Sequence, residues 1–459
     1  MDRTTPIDRS EAFVAAVTEQ MATIARRLSA WVQGEEHSLE TLEQQAVRVL
    51  HDFGTLLLSS LVPLAAPARP APDVACPCGE TARYLRSRPA TATTLLGPIA
   101  FTRAIYRCAA CGQYQIPLDA QLQVTAGGLS LGLQELLALL GATQDSFAEA
   151  STVLERLTLV HVSPNSVRAA TEDVGQLLVT HEQQLVEQAQ RSHTPPLTAQ
   201  PAPARLYLSM DGVLAHIRKQ GFKELKTGCV YTTCARRSRT RPEETEVRAV
   251  AQSYVVRLCE AETFGWQLWG EACRRGLTPE TEVVVVGDGA HWIWNIAEQH
   301  FPQATQIVDW YHASQYVWNA ATAIFGEAGE LRTRWAKQQL DALWEGRVAE
   351  VAVALQTYAG RYTAVDEAIS YYTTHQARLD YPSYRARGLQ IGSGTIESAC
   401  KQLVSARLKL AGMIWDVEGA EAVAVVRAWL KSERWAEAMR LRPPPKRSYQ
   451  RRAPSAAAA

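Results

Sequence analysis

The sequence predicts a multidomain α/β protein in which a large α/β domain follows smaller, mainly helical segments. The chain has 459 residues, and at ~100–200 residues per domain this length gives two to four domains. Hydrophobic residues make up 47% and charged residues 20%, which is typical of globular rather than disordered chains. Pro/Ala-rich linkers are expected at 66–75 and 193–204, and the long segment after the second linker alternates between strand and helix patterns.

The composition also excludes several classes of protein. The N-terminal residues are polar, and no apolar signal-peptide core follows them. No run reaches ~18 apolar residues, and the best candidate, 56–66, is short and contains Pro63, so we expect no membrane span. Nine cysteines, an odd and modest number, are typical of a reducing compartment rather than of a disulfide framework. We therefore expect a cytoplasmic protein.

Residues 1–65 are predicted to form a helical hairpin. Apolar residues recur at 3-4 spacing from Val14 to Trp31 and again from Leu39 to Leu56, with a turn at Gly34 between the two runs. Seams of this kind either pack against each other within one chain or dimerise. Fewer than ~3 heptads per helix favours packing within the chain, although we expect the whole protein to be a homo-oligomer.

Four cysteines form two close pairs, each followed directly by a glycine: Cys76, Cys78, Cys108 and Cys111. Short β-prone runs at 91–96 and 99–101 lie between the pairs. Two such knuckles joined by a hairpin can place four thiolates tetrahedrally around Zn²⁺. The first pair has one intervening residue where two are usual, and four unrelated thiols are the alternative. We expect a zinc ribbon over 76–125 that holds one structural Zn²⁺.

Residues 126–192 are predicted to be helical and to resemble a helix-turn-helix. Ser163 as N-cap and Pro164 at the first helical position indicate the start of the second helix of the pair. Such a unit beside a basic zinc module suggests binding to double-stranded DNA. Two packed helices without a DNA role are the alternative, because the second helix carries few basic residues.

Charge is segregated along the chain although the formal net charge is zero. Residues 431–459 hold eight Lys/Arg and two Glu, and residues 76–118 hold five Arg and one Glu. Segregated basic segments suggest an anionic partner, while a solvated tail is the plainer alternative. We treat 436–459 as a basic tail.

From residue 205 to about 435 the pattern changes to that of a mixed sheet. Three β-rich runs between 205 and 258 read as an antiparallel meander. A helix, a four-valine strand at 283–286, a second helix and the strand at 305–309 then follow, which predicts parallel pairing with right-handed crossovers. This order is that of an RNase H-like sheet, in which the first and fourth strands are adjacent. A helical stretch at about 315–380 reads as an insertion.

Carboxylates occupy the ends of these elements. Asp211 lies on the first strand and Asp288 follows the four valines directly. Since the two strands would be neighbours, their carboxylates would meet at one edge, where Mg²⁺ is the usual counterion. A two-metal site needs a third carboxylate, and Glu397 is the candidate because Gly392-Ser393-Gly394 lets the backbone approach a ligand closely. Lys401 lies four residues after Glu397 on the same helix face, and we expect it to be an auxiliary site residue; a plain surface Glu-Lys pair is the alternative.

Together these motifs resemble a bacterial insertion-sequence DDE transposase of the zinc-ribbon-bearing ISKra type. The motifs that carry the resemblance are Met210-Asp211-Gly212, Gly287-Asp288-Gly289-Ala290-His291-Trp292, Asp309-Trp310-Tyr311-His312 and Gly392-Ser393-Gly394-Thr395-Ile396-Glu397-Ser398. The resemblance implies that Asp211, Asp288 and Glu397 are the catalytic, metal-binding triad, with a helical insertion before the glutamate. It also implies an auxiliary role for Asp309 and His312, which match the Cys/Asp-x-x-His element of Mutator-like transposases.

The expected activity is metal-dependent strand cleavage at element ends followed by strand transfer into target DNA. Two Mg²⁺ or Mn²⁺ ions are the expected catalytic cofactors, the DNA partner is double-stranded, and the protein would associate with the nucleoid. Two rivals remain from the sequence: a non-mobile RNase H-like nuclease, and a non-catalytic DNA-binding protein derived from a transposase.

Overall fold

The structure, a computed structural model, describes residues 6–34, 36–65, 70–125, 127–192, 201–237 and 245–442. The chain divides into two compact units, residues 1–171 with 441–459, and residues 172–440. The multidomain α/β organisation is confirmed at this level. Parts of the two predicted linkers and most of the predicted basic tail lie outside the described residues: 66–69, 193–200 and 443–459.

The first unit combines helices with an antiparallel sheet. Its helices are α1 (Pro6–Val32), α2 (Leu39–Ala65), α3 (Pro117–Gln121), α4 (Leu131–Thr143), α5 (Phe147–Thr158) and the beginning of α6 (Pro164–Ser192). Its strands are β1 (Asp73–Ala75), β2 (Thr81–Thr94), β3 (Gly97–Cys108) and β4 (Tyr114–Gln115), in the spatial order β1-β2-β3-β4. α2 packs on β3, and buried apolar side chains of α2, α3 and the β2–β3 hairpin form a core cluster.

Several boundaries in this unit differ from those the sequence predicts. Residues 73–75, assigned to a linker, form β1, which pairs with β2 directly before the first cysteine. β2 and β3 are also much longer than the predicted β-prone runs, because arginine-rich residues that look unlike a half-buried strand continue the pairing. Val14 and Met21, expected on the α1 seam, are exposed. The half-buried side chains of α1 form a narrower stripe that includes Val17 and Leu28.

The helical part of this unit follows the sequence more closely. The Ser163 hydroxyl accepts a hydrogen bond from the Ser166 N–H at 3.2 Å, so the predicted N-cap of α6 is confirmed. Apolar residues of α4, α5 and the start of α6 form a second core cluster. Residues 436–442, predicted to belong to the basic tail, are folded. Ala438 in α17 (Trp435–Arg440), a helix of the second unit, is buried, and Arg442, which belongs to the first unit, forms an ion pair with Glu135.

The second unit is built on one five-stranded mixed sheet. Its strands are β5 (Arg205–Ile217), β6 (Gly221–Arg237), β7 (Thr245–Arg257), β8 (Glu282–Gly287) and β9 (Thr305–Val308). The spatial order is β7-β6-β5-β8-β9, with antiparallel pairs among β5, β6 and β7, and parallel pairs of β5 with β8 and of β8 with β9. Val284, Val285 and Val286 are fully buried in succession, so β8 is covered on both faces as its sequence predicts.

Helices make up most of the rest of this unit, and α6 ends among them. They are α7 (Ala261–Arg274), α8 (His291–His300), α9 (Trp310–Phe325), α10 (Glu330–Trp344), α11 (Val348–Gln356), α12 (Thr363–His375), α13 (Tyr381–Ala386), α14 (Gly394–Cys400), α15 (Ala406–Leu408), α16 (Val417–Lys431) and α17. The inserted helices span residues 310–386, more than the predicted 315–380. They begin earlier because the Asp309 side chain accepts a hydrogen bond from the His312 N–H and so caps α9 directly after β9.

One turn of π-helix, Lys401–Ser405, separates α14 from α15. The 3-4 spacing of Leu403, Ala406 and Leu410 would place all three on the buried side of an uninterrupted α-helix. In the structure Ala406 is exposed, while Arg407 and Leu408 are buried. The wider turn takes up one extra residue and so rotates every later side chain around the helix axis.

Among the described helices, α2 is the one whose length and composition would suffice to cross a membrane. Only 6% of its most apolar window is buried. A single helix that passes this test does not define a membrane span, because core helices and signal sequences pass it too.

Candidate active site and metal centre

Three aspartates follow the same edge of the sheet in the second unit. The last registered pairs there are Ser209 of β5 with Val286 of β8, and Gly287 of β8 with Val308 of β9. Continuing both registers places Asp211, Asp288 and Asp309 in one row, with Asp288 in the middle. Equivalent positions on neighbouring parallel strands share a face and lie about 4.8 Å apart. The predicted adjacency of the first and fourth strands is confirmed, and β9 adds a third carboxylate to the row.

Asp211 is partly buried, which disfavours the charged form of its carboxylate. Burial raises its pKa above the usual value, and the negative charge of Asp288 raises it further. Hydrogen bonds from the Gly212 N–H and the Cys400 thiol, together with the charge of His312, act in the opposite direction. The net upward shift comes mainly from burial, and the neighbouring Asp288 adds to it; a bound cation would relieve both effects.

Asp288 stands on a tight turn that the inserted helices hold in place. Its carboxylate accepts a hydrogen bond from the Ala290 N–H at 2.9 Å, and its carbonyl accepts one from the Tyr371 hydroxyl at 2.7 Å. Gly289 has a φ of +115°, and a Cβ there would lie 2.7 Å from the Tyr371 ring. Glycine is therefore required at this turn for both its conformation and its lack of a side chain.

Glu397 reaches the same edge from the helix that covers the sheet. α14 packs against β5 and β6, and Glu397 lies in its first turn. The Ser393 hydroxyl lies 3.4 Å from Glu397 Oε1 and donates a hydrogen bond to it. Lys401, the third residue predicted to be auxiliary, is exposed at the start of the π-turn, and the alternative, an ion pair with Glu397, does not occur in the described part of the chain.

Asp309 is completely buried and joins two segments of the site. Its Oδ1 accepts hydrogen bonds from the His312 N–H at 2.7 Å and from His312 Nδ1 at 3.1 Å. Its Oδ2 accepts a hydrogen bond from the Ser393 N–H. Burial alone would raise the pKa of Asp309, but these hydrogen bonds outweigh it and lower the pKa below the usual value. The carboxylate is therefore held in its charged form between α9 and the loop that leads to Glu397.

His312 faces the carboxylates from the first turn of α9. The hydrogen bond to Asp309 raises its pKa most, burial lowers it, and the charges of Asp309, Asp288 and Glu397 raise it further. The net result is a raised pKa. A histidine in this setting carries positive charge more readily than a free imidazole does.

Sequence reasoning missed the contributions of three residues: Cys400, Tyr371 and Ser393. The Cys400 thiol is buried and hydrogen-bonded to Asp211 and Thr227, and burial raises its pKa. Tyr371 lies in the inserted helices, far from Asp288 in the sequence. Only Ser393 had a usable signal, because its place between two glycines was already noted for backbone approach.

The first unit contains a separate cluster of the four predicted cysteines. Their Sγ atoms all lie within 4.8 Å of one another, with 3.6 Å between Cys76 and Cys111 and 3.6 Å between Cys78 and Cys108. Tetrahedral Zn²⁺ with Zn–S bonds of about 2.3 Å requires S–S separations of about 3.8 Å. The four thiols are therefore arranged to hold a structural metal such as zinc.

The backbone around this cluster folds as two matched knuckles. The Gly79 N–H donates to the Cys76 carbonyl at 3.0 Å, and the Gly112 N–H donates to the Cys108 carbonyl at 3.0 Å. Both glycines have positive φ, +93° and +72°, which explains why glycine follows each pair. A hydrogen bond from the Cys111 N–H, more than any other contact, lowers the pKa of Cys108 to about 7, so this ligand loses its proton easily to a metal.

Among the described residues, this cysteine cluster is the one set of three or more ligand atoms lying within 4.8 Å of one another. Asp211, Asp288 and Glu397 do not form such a set in their present side-chain conformations. The two kinds of site require different spacings between their ligand atoms. In a structural zinc site all four ligands bind one ion and therefore lie close together. In a two-metal site the outer ligands bind different ions about 3.5–4 Å apart.

Fold and sites define a multidomain α/β protein with a mixed sheet, a row of carboxylates at one sheet edge and a cluster of four cysteines that could hold a structural metal. The chain belongs to the uncharacterised protein family UPF0236, whose family model matches residues 80–440. The match includes two of the four cysteines, Cys108 and Cys111, and every carboxylate of the row. No curated protein matches the chain.

Proposed function

We propose that this protein is a DNA transposase of the DDE type, which cleaves DNA strands at the ends of a mobile element and joins them to target DNA. The observation that carries the proposal is the convergence of Asp211 and Asp288 from adjacent parallel strands with Glu397 from the helix over the sheet. The strand order β7-β6-β5-β8-β9 supports an RNase H-like fold. The resemblance to ISKra-type transposases supplies the reaction.

The donor set suits two divalent ions, Mg²⁺ or Mn²⁺, because it consists of carboxylate oxygens, and the negative charge of Asp288 adds to the burial that raises the pKa of Asp211. When bound, such ions supply Lewis acidity for in-line phosphoryl transfer. Asp211, Asp288 and Glu397 would hold them. Asp309 would keep the loop before Glu397 against the sheet, and a protonated His312 would contribute positive charge near the scissile phosphate.

The reaction itself has two phosphoryl transfers. Hydrolysis at the element end breaks a phosphodiester and frees a 3′-hydroxyl. That hydroxyl then attacks a phosphodiester of target DNA in line, so that one bond forms as another breaks and no covalent protein intermediate arises. The zinc ribbon, the helix-turn-helix-like segment and the basic tail would hold the DNA through its phosphates. Exposed apolar side chains on α1 and α2, including Val14, Met21 and Leu50, support self-association.

The test of this proposal is a set of isosteric substitutions. Asp211→Asn, Asp288→Asn and Glu397→Gln each remove one charge while keeping side-chain size. Each should abolish Mg²⁺- or Mn²⁺-dependent cleavage of DNA that carries the sequences flanking the gene, while DNA binding and the fold remain. The losses should be strongly non-additive, since one missing ligand already disables the unit. Matched controls are Asp341→Asn and Glu280→Gln, which alter exposed carboxylates elsewhere in the same unit.

The product distinguishes the proposal from its rivals. Joining of the cleaved end to a second DNA, with a short duplication of the target, identifies a transposase. Cleavage without joining would identify a nuclease, and near-normal cleavage by Glu397→Gln would show that the third carboxylate is misassigned. Inverted repeats around the gene, bounded by short direct duplications, are the expected genomic counterpart.

A further inference from the structure

The β2–β3 ribbon of the first unit gathers its arginines on one face. Directly opposed residues of an antiparallel pair share a face, and the register opposes Arg83 to Arg107, Arg86 to Ile105, and Arg88 to Arg103. A bulge at Leu85 makes this possible, because it inserts one residue between Tyr84 and Arg86. Without the bulge, the strict alternation of a strand would turn Arg86 and Arg88 away from Arg83.

The same face changes its chemistry along the ribbon. Towards the hairpin end, Ile99 and Phe101 are buried in the core cluster with α2 and α3. At the middle, Arg103 is buried and forms an ion pair with Asp119. Arg88 lies opposite Arg103, and the other three arginines lie further from the hairpin end, around the buried Ile105. All four are exposed, and none has an ion-pair partner among the residues that the structure describes: Arg83, Arg86, Arg88 and Arg107.

The nearby carboxylates do not neutralise the positive charge of this face. Asp119 is occupied by Arg103, and Asp73, opposite Arg83 on β1, can offset only one further arginine. Arg83 and Arg107 directly face each other, and like charges in that position destabilise a sheet. An external anion with several charges would remove this repulsion.

We propose that this arginine face, defined by Arg83, Arg86, Arg88 and Arg107, binds the phosphate backbone of double-stranded DNA. Guanidinium groups bind phosphates with two parallel hydrogen bonds. The part of the hairpin that carries Arg86 and Arg88 is two-stranded and is therefore narrow enough to enter the B-form major groove, which is about 12 Å wide, whereas β1 and β4 flank it at Arg83 and Arg107. The A-form major groove of RNA is too narrow for it. The inference deepens the proposed function by naming the surface that holds DNA, but it does not require cleavage.

The experiment compares two full-length triple variants with equal loss of charge. The ribbon variant carries Arg83→Gln, Arg86→Gln and Arg88→Gln; the control carries Arg26→Gln, Arg27→Gln and Arg48→Gln, which alter exposed arginines on α1 and α2. Binding of a duplex DNA of mixed sequence is measured without added Mg²⁺ over about 50–200 mM salt. Each lost phosphate contact lowers the log–log salt slope by about 0.9, so the ribbon variant should lose about 2.7. Across a fourfold rise in salt, the wild type should then lose about 40 times more affinity than the ribbon variant does.

Three results would overturn the inference: an unchanged slope in the ribbon variant, an equal loss in the control, or equally tight binding of a double-stranded RNA of the same sequence. Retained zinc shows that the ribbon variant is folded. If the triple variant does not fold, the single variant Arg88→Gln replaces it, with an expected slope loss of about 0.9. The proposed function is tested separately. If the triad variants cleave DNA normally, the proposed function is rejected, but the DNA-binding result for the arginine face still stands.

Discussion

Asp309→Asn tests the hydrogen bonds that hold the carboxylate row together. The asparagine oxygen can still accept the His312 N–H, but its NH₂ group would face the Ser393 N–H, so two donors would oppose each other. Losing one buried hydrogen bond and leaving its donor unpaired costs about 1–3 kcal/mol. For a unit of this size, each 1 kcal/mol lowers the unfolding midpoint by roughly 2–4 °C. We therefore expect a fall of roughly 2–12 °C, measured by thermal unfolding without added Mg²⁺.

Two comparisons make the result interpretable. Ser393→Ala keeps the backbone N–H that Asp309 accepts and removes only the hydroxyl bonded to Glu397, so it should leave the midpoint nearly unchanged. Asp309→Asn should also reduce cleavage less than the triad variants do, since its carboxylate is already occupied by three donors. An unchanged midpoint would refute this account of Asp309. Abolished cleavage in Asp309→Asn with activity retained in Asp288→Asn would move the second metal ligand to β9.

Three further predictions concern the metal centre, the tail and His312. The purified protein should hold one equivalent of Zn²⁺, and Cys78→Ser or Cys111→Ser should reduce it below half while Cys234→Ser does not, by elemental analysis. Removing 443–459, which holds four Lys/Arg, should make the salt dependence of DNA binding shallower by up to about 3.6 in log–log slope; an unchanged slope would show a tail that does not touch DNA. The pKa of His312 is raised in the folded protein, so its contribution to stability is complete below about pH 6.5 and is lost as the pH rises through the raised pKa. NMR titration should show this pKa above that of a free imidazole, and Mg²⁺ should lower it.

Much of the second unit could be predicted because its signals are local. Four successive valines and the strand-helix-strand order determine where β8 lies, and the adjacency of Asp211 and Asp288 follows from that order alone. Asp309 was harder to assign, since its place after β9 is equivalent to that of Asp288. What separates the two is the set of hydrogen bonds that Asp309 accepts from His312 and Ser393, and the Ser393 loop lies 84 residues further along the chain.

Other features could not be recognised from the sequence. The π-turn after Cys400 inserts one residue, which a 3.6-residue periodicity averages away. The β2 bulge at Leu85 is likewise a single residue, yet it decides whether Arg86 and Arg88 share a face with Arg83. β1 has only three residues, too few for a recognisable alternation, and so it was assigned to a linker.

The hydrogen bonds donated by tyrosines of the inserted helices indicate a role for these helices. Tyr371 donates to the Asp288 carbonyl at 2.7 Å, Tyr381 to the Val308 carbonyl at 3.1 Å and Tyr384 to the Gln306 carbonyl at 3.2 Å. These carbonyls belong to β9 or directly follow β8, where the sheet offers them no further partner. A tyrosine hydroxyl at each position satisfies a backbone group and also ties a strand end to a packed helix. Because Asp288 and Asp309 are carried by these same strand ends, the insertion positions the carboxylate row, and a sheet without it would leave that edge free to move.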